Sequence, residues 1–241
     1  MNKYLLKLSS YLLIAITYSI FLFSCKQSPA DFEINKDFQK HISSFSSGVL
    51  SIAHPITIQL VEPNPKQIIP NEEVEENLFK ISPSVKGKTV WINQHTVQFI
   101  PEEYLESGKE YWIEFNLGKV ASVPKELKTF KFPFKTIKQA INFEADGLKS
   151  YSNEFSEWYQ FTGLVYTADV IDEKTLRQNI EAKVNGKNHT IKWDKIGNNN
   201  LYTLILDSVP RQEKAGEIII QWNSLQSSSS KKEEAKGRIP S

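Results

Sequence analysis

Tyr111–Leu117 reads YWIEFNL, and Phe130–Phe134 reads FKFPF. In the first stretch Tyr111, Ile113, Phe115 and Leu117 occupy every second position, with Trp112, Glu114 and Asn116 between them. In the second, Phe130, Phe132 and Phe134 repeat the pattern around Lys131. A period of two sends alternate side chains to opposite faces of an extended chain, so both stretches read as strands with an aromatic inner face. Pro133 has no N–H to give a neighbour, which places that strand at an edge or a bulge there.

The same period extends outward. Ile56, Ile58 and Leu60 alternate with Thr57 and Gln59, and Pro63-Asn64-Pro65 ends that run. Glu72, Glu73, Glu75 and Glu76 form an acidic loop. Val90 and Ile92, then Val97 and Phe99, flank Asn93-Gln94 and read as a hairpin. Upstream, Phe38, Ile42 and Phe45 share a helical face, which predicts one or two helical turns over Asp37–Phe45. Downstream, Thr136–Ala140 reads as a boundary. A second β series follows it: Ile141–Phe143, Trp158–Thr167, Tyr202 to Leu206 and Ile218 to Trp222. Asp172–Ile180 reads as a short helix. Asn185-Gly186 is a type I′ hairpin signal, with His189–Trp193 as its second arm. The end of the chain, SSSSKKEEAKGRIPS, reads as a loop or frayed terminus.

These readings predict an all-β chain of two tandem β-sandwich domains, 46–137 and 138–225. A polar tether and short helix, 25–45, precede them, and a polar tail, 226–241, follows.

The N-terminus has its own logic. Lys3 and Lys7 precede the apolar run Tyr11–Phe23, and small Ser24 precedes Cys25. A basic stretch, a short apolar stretch and a small residue make an export signal over residues 1–24. Leu22-Phe23-Ser24-Cys25 looks like the lipobox of bacterial lipoproteins, which makes Cys25 the acylation site and the lipid bilayer a partner. The chain is then expected in the cell envelope, lipid-anchored to the outer membrane. Cys25 is the sole cysteine, so the fold must hold without disulfides.

Composition narrows the function. With 29 basic and 28 acidic residues the net charge is +1, and no field of one sign exists to draw nucleic acid. Phosphate-loop, nucleophile-elbow, zincin and dinucleotide motifs are absent from the sequence. His41, His54, His95 and His189 lack metal-ligand spacing. The Glu72–Glu76 run lacks the aspartates and glycine of a calcium loop and reads as a solvated charge run. Ser43, Ser44, Ser46 and Ser47 have no base partnered in sequence. Trp112 and Trp158 could stack on a sugar, though strand tryptophans are more often buried between sheets. No catalytic residue, cofactor or metal is therefore expected, and the chain is not expected to be an enzyme.

Ser47–Ser51 with Pro55–Ile58, Phe79–Trp91 (FKISPSVKGKTVW), Thr96–Pro101 (TVQFIP) and Leu105–Tyr111 (LESGKEY) follow one another in an order that resembles the N-terminal region of bacterial alpha-2-macroglobulin-family lipoproteins. Val123–Leu127 (VPKEL) is similar to the Bacteroidetes type, and the likeness continues into Phe161-Thr162-Gly163 and Thr167–Val170. The resemblance implies Ig-like, macroglobulin-type sandwiches in a membrane-anchored guard that traps proteases. It places no bait segment and no thioester here, since Cys25 is followed by Lys-Gln-Ser. The chain would then supply the structural and docking portion, with the remaining macroglobulin domains or proteases as partners, and would look truncated at Gly237–Ser241. The alternative expectation is an adhesion or carbohydrate-binding lipoprotein, because one sandwich fold hosts many functions.

Overall fold

A computed structural model describes residues 32–151, 157–196, 200–223, 225 and 232–240. Residues 42–136 supply eight strands: β1 (Ile42–Phe45), β2 (Gly48–Leu50), β3 (Ile56–Leu60), β4 (Phe79–Ser82), β5 (Gly87–Asn93), β6 (Thr96–Pro101), β7 (Glu110–Phe115) and β8 (Phe130–Thr136). They make two four-stranded sheets, in the orders β1-β3-β6-β5 and β2-β8-β7-β4. All pairings are antiparallel except β2 with β8. The sheets face each other across an aromatic core. Phe45 on one sheet meets Phe130 and Phe132 on the other, each at 5.0 Å between ring centres, and Phe79 meets Phe99 at 6.0 Å.

The alternation in β7 and β8 is borne out. Tyr111, Ile113 and Phe115 point inward from β7, and Phe130, Phe132 and Phe134 from β8, all buried. Pro133 also sits as its chemistry requires. β8 bonds to β7 along its length, but on its other flank β2 starts only at Gly48, opposite Phe134. Beside Pro133, β8 is locally an edge.

The helical turns expected over Asp37–Phe45 are half right. Lys36–Lys40 forms a 3-10 turn with Phe38 buried, but Ile42–Phe45 is β1. Ile42 pairs with Leu60 and Phe45 with Ile58, so an available sheet edge outweighs a weak helical spacing. Gly48, at φ +77, then carries the chain from β1 in one sheet to β2 in the other.

Residues 141–239 repeat the plan: β9 (Ile141–Ser150), β10 (Trp158–Thr167), helix α1 (Glu173–Asn179), β11 (Ile180–Val184), β12 (Lys187–His189), β13 (Lys192–Lys195), β14 (Leu201–Pro210), β15 (Gly216–Asn223) and β16 (Lys232–Ile239). The sheets are β13-β14-β10-β9 and β12-β11-β15-β16. Phe161, Val165, Leu204 and Leu206 from the first share one core with Ile180, Ile218, Ile220 and Trp222 from the second. The Trp222 indole N–H donates to the Ile141 carbonyl at 3.1 Å. Sheet membership changes between Thr136 and Ile141, within one compact unit that runs from Lys36.

Local signals in this half hold where they are strongest. Asn185 (φ 50) and Gly186 (φ 77) form the two left-handed positions of the β11–β12 turn. α1 begins where Asp172 caps it, its carboxylate accepting from Thr175 N at 2.8 Å. Two expectations need correction. His189–Trp193 is not one hairpin arm: β12 ends at His189 and β13, from Lys192, joins the opposite sheet. The crossing is fixed by the His189 Nε2 contact with the Asp207 carbonyl, 2.7 Å away. The C-terminal segment is not a tail throughout. Residues 226–231 lie outside the described residues, but Lys232–Ile239 is β16, paired with β15 from Gly216–Ile239 to Asn223–Lys232. Its charges alternate outward, Ile239 is fully buried, and β15 offers eight backbone positions to bond.

Candidate functional site: the junction between the sheet pairs

β2 ends at Leu50, and the next two residues reach into the second sheet pair. The Ser51 hydroxyl donates to Asp169 Oδ1 at 2.6 Å, and Ile52 N donates to Asp169 Oδ2 at 2.7 Å. Asp169 lies just past β10 and is 2% exposed. Val170 N gives its carboxylate a third bond at 2.8 Å. Gln139, in the connection between β8 and β9, completes the joint. Its amide N–H group donates to the Asp169 and Val170 carbonyls at 3.0 Å each. Its amide oxygen accepts from Asp169 N and Ala140 N at 3.1 Å each. Thr167 Oγ1 donates to the Asp169 carbonyl at 2.8 Å. On the first sheet pair, Thr136 Oγ1 donates to the Glu106 carbonyl at 2.6 Å and accepts from Lys109 N at 2.8 Å.

A buried carboxylate costs several kcal/mol unless its charge is satisfied. Here the compensation is three donors, two of them from a loop 117–118 positions earlier in the chain. The joint therefore exists only when both sheet pairs are formed and in place.

Beside it runs an open groove of about 550 Å³, walled by Ile52, Tyr104, Lys138, Val170, Ile171 and Leu225. Gly108, at φ +66, lies under Lys138; a Cβ there would sit 3.2 Å from the lysine Cγ. Asp172 stands at the rim. Hydrogen bonds from the Thr175 hydroxyl and backbone N–H hold its carboxyl below the ordinary 3.8.

The residues singled out from sequence are not gathered here. Cys25 lies outside the described residues. His95 Nδ1 is 3.3 Å from the Leu60 carbonyl, while His189 faces Asp207 in the other half of the chain. The described residues contain no group of three His, Cys, Asp or Glu able to hold a metal ion. Glu76 pairs with Lys66 at the surface. Ser43 and Ser44 bond Gln59, and Ser46 takes the Thr57 N–H at 2.8 Å, so all three work for the sheet. The tryptophan expectation is corrected for one residue. Trp158 is 46% exposed, because Tyr159 and Phe161 take the inward positions of β10. Trp112 is half-buried, with its indole N–H on Glu110 at 2.7 Å. The buried tryptophans are Trp91 and Trp222. Among the described residues no helix is long and apolar enough to cross a membrane.

No family model and no curated protein matches the chain. Solved structures similar to it include L,D-transpeptidase 3 from Mycobacterium tuberculosis with a faropenem-derived adduct, at 15% identity and a TM-score of 0.30. An L,D-transpeptidase from M. tuberculosis H37Rv matches at 16% and 0.31, and LdtMt1 with imipenem at 17% and 0.29. The matches cover 64–68% of this chain and 55–59% of those, so the chain spans little over half their length. These neighbours are enzymes, and the expectation that the chain is not an enzyme is withdrawn on that finding. Their low TM-scores transfer no chemistry to any residue here.

Proposed function

We propose that this chain is the lipid-anchored structural and docking portion of an alpha-2-macroglobulin-like protease inhibitor in the cell envelope, its two sheet pairs being two macroglobulin-type sandwich domains. The observation that carries this reading is the buried Asp169–Gln139 joint. A module that holds a larger body at a set distance from a membrane must transmit orientation, and a fully satisfied polar joint has one geometry. The sequence resemblance supports the same reading. Trapping needs a cleavable bait and an enclosing body, and neither can be placed in this chain.

The test is a paired one. The full chain is titrated against a broad-specificity protease acting on a large protein substrate, alone and together with envelope extract containing a bait-and-thioester protein. No inhibition by the chain alone, with recovery of that protein on the immobilised chain, is the expected result. Inhibition by the isolated chain, or failure to retain any macroglobulin-type protein, defeats the reading.

One observation favours a carbohydrate-binding module instead. Tyr159 pairs with Ser150, which brings Trp158 and Tyr151 to the same end of the β9–β10 pair. They are 46% and 38% exposed, and exposed aromatic rings can stack on sugar rings. Loss of glycan retention on Trp158→Ala would establish that reading over the first.

A further inference from the structure

β15 and β16 are unequal partners. β15 reads GEIIIQWN and turns Ile218, Ile220 and Trp222 into the core. β16 reads KEEAKGRI. In the register, Ile218 faces Gly237, Ile220 faces Ala235 and Trp222 faces Glu233. Residues directly opposite share a face of the sheet. The resident strand therefore sets a glycine, a methyl group and a carboxylate beside the three core residues of β15, and only Ile239 fills its place.

The glycine is not required by space. At Gly163 on β10 a Cβ would come within 2.4 Å of the Phe143 ring, so that position admits nothing larger. At Gly237 a Cβ would meet Ile218 Cβ and Phe161 Cε2 at 3.9 Å each, which is ordinary contact. Nor does its backbone adopt the left-handed region. Glycine inside a strand weakens it unless a close approach demands it, and Lys, Glu and Ala are poor strand formers. The outward row Lys232, Glu234, Lys236 and Arg238 explains how the edge is kept from random pairing. It does not explain the thin inner row.

We propose that the edge of β15 held by β16 is a docking site for an extended segment of a partner protein, antiparallel to β15, with large branched apolar residues at the positions now taken by Glu233, Ala235 and Gly237. β16 is its resident placeholder. Main-chain bonds to β15 supply the common affinity of strand addition, and the three alternate side chains supply selection. The resident strand, being tethered, competes at an effective concentration on the order of millimolar. A donor must better its intrinsic affinity by about a thousandfold to bind at micromolar concentration.

The test uses the full chain and a fluorescein-labelled peptide Lys-Ile-Glu-Val-Lys-Val-Arg-Ile, read by anisotropy. Micromolar binding is expected, with no binding of a peptide carrying the resident sequence. Glu233→Ile, Ala235→Val and Gly237→Val combined in the chain should raise Tm and weaken peptide binding by about tenfold or more, because the tethered strand then holds the site. Absence of binding to the unaltered chain overturns the proposal. So does equal binding to the triple variant, or a triple variant that loses Tm or its β spectrum, since that would show the space to be filled.

Discussion

Asp169 has a carboxylate that faces donors from both halves of the described chain, and its energetic weight follows from burial. Hydrogen bonds to a charged group contribute about 1.5–3 kcal/mol each, and orphaned donors add their own cost. Asp169→Ala should therefore lower stability by about 3 kcal/mol or more, and Ser51→Ala by roughly half that, in urea titrations of the chain. If Asp169→Ala costs less than about 1 kcal/mol, the joint is not the constraint described. Asp172 offers a second, pH-dependent test. Its folded carboxyl titrates below the ordinary 3.8, so its contribution is present above that pH and disappears as the pH falls through the lower folded value. Asp172→Ala should cost about 1 kcal/mol at pH 7, the usual weight of a helix cap, and less as the pH falls below 3.8 through the lower folded value. A penalty that stays constant on acidification would contradict the charged cap. The inward residues of β7 and β8 were legible in sequence because alternation is a local property. The role of Asp169 was not, because its donors at Ser51 and Ile52 are found only by folding.

Elements were legible in proportion to how locally they are determined. The β11–β12 turn and the short helix α1 are set by neighbouring residues, and both formed where the sequence placed them, the helix with Asp172 as its cap. β1, β13 and β16 depart from the sequence reading because each takes its form from a partner strand outside its own stretch, β3, β14 and β15 respectively, and not from its local spacing or charge. The charged alternation of β16 was hidden by its resemblance to a solvated tail. If β16 covers the edge of β15, a stop codon after Leu225 should leave Ile218, Ile220 and Trp222 beside an open row of backbone donors and acceptors. Such edges pair with other chains. Sedimentation should then show association at concentrations where the full chain stays monomeric. A monomeric truncated chain of unchanged Tm would mean that β16 is dispensable.

At the scale of the whole molecule, the all-β character could be read from alternation alone. The pairing of strands into faced sheets could not, since it depends on contacts such as Phe45 with Phe132. Anchoring belongs to this scale too. If Cys25 carries lipid, Cys25→Ala should abolish labelled-palmitate incorporation and move the chain from the membrane to the soluble fraction. Several acyl chains hold firmly where one does not. Label persisting in that variant would sink the assignment. An anchored body is also a body under load. β2 runs parallel to β8, in the register Gly48–Phe134, Val49–Lys135 and Leu50–Thr136. Tension entering ahead of β2 and leaving after β8 drags these strands in opposite directions along their length. Their rungs are then loaded in shear and must fail together, where an antiparallel pair pulled from one end would peel open rung by rung. Under such a load the shortest strand of the sheet would act as a clamp, with Ser51 and Ile52 bonded to Asp169 directly behind it.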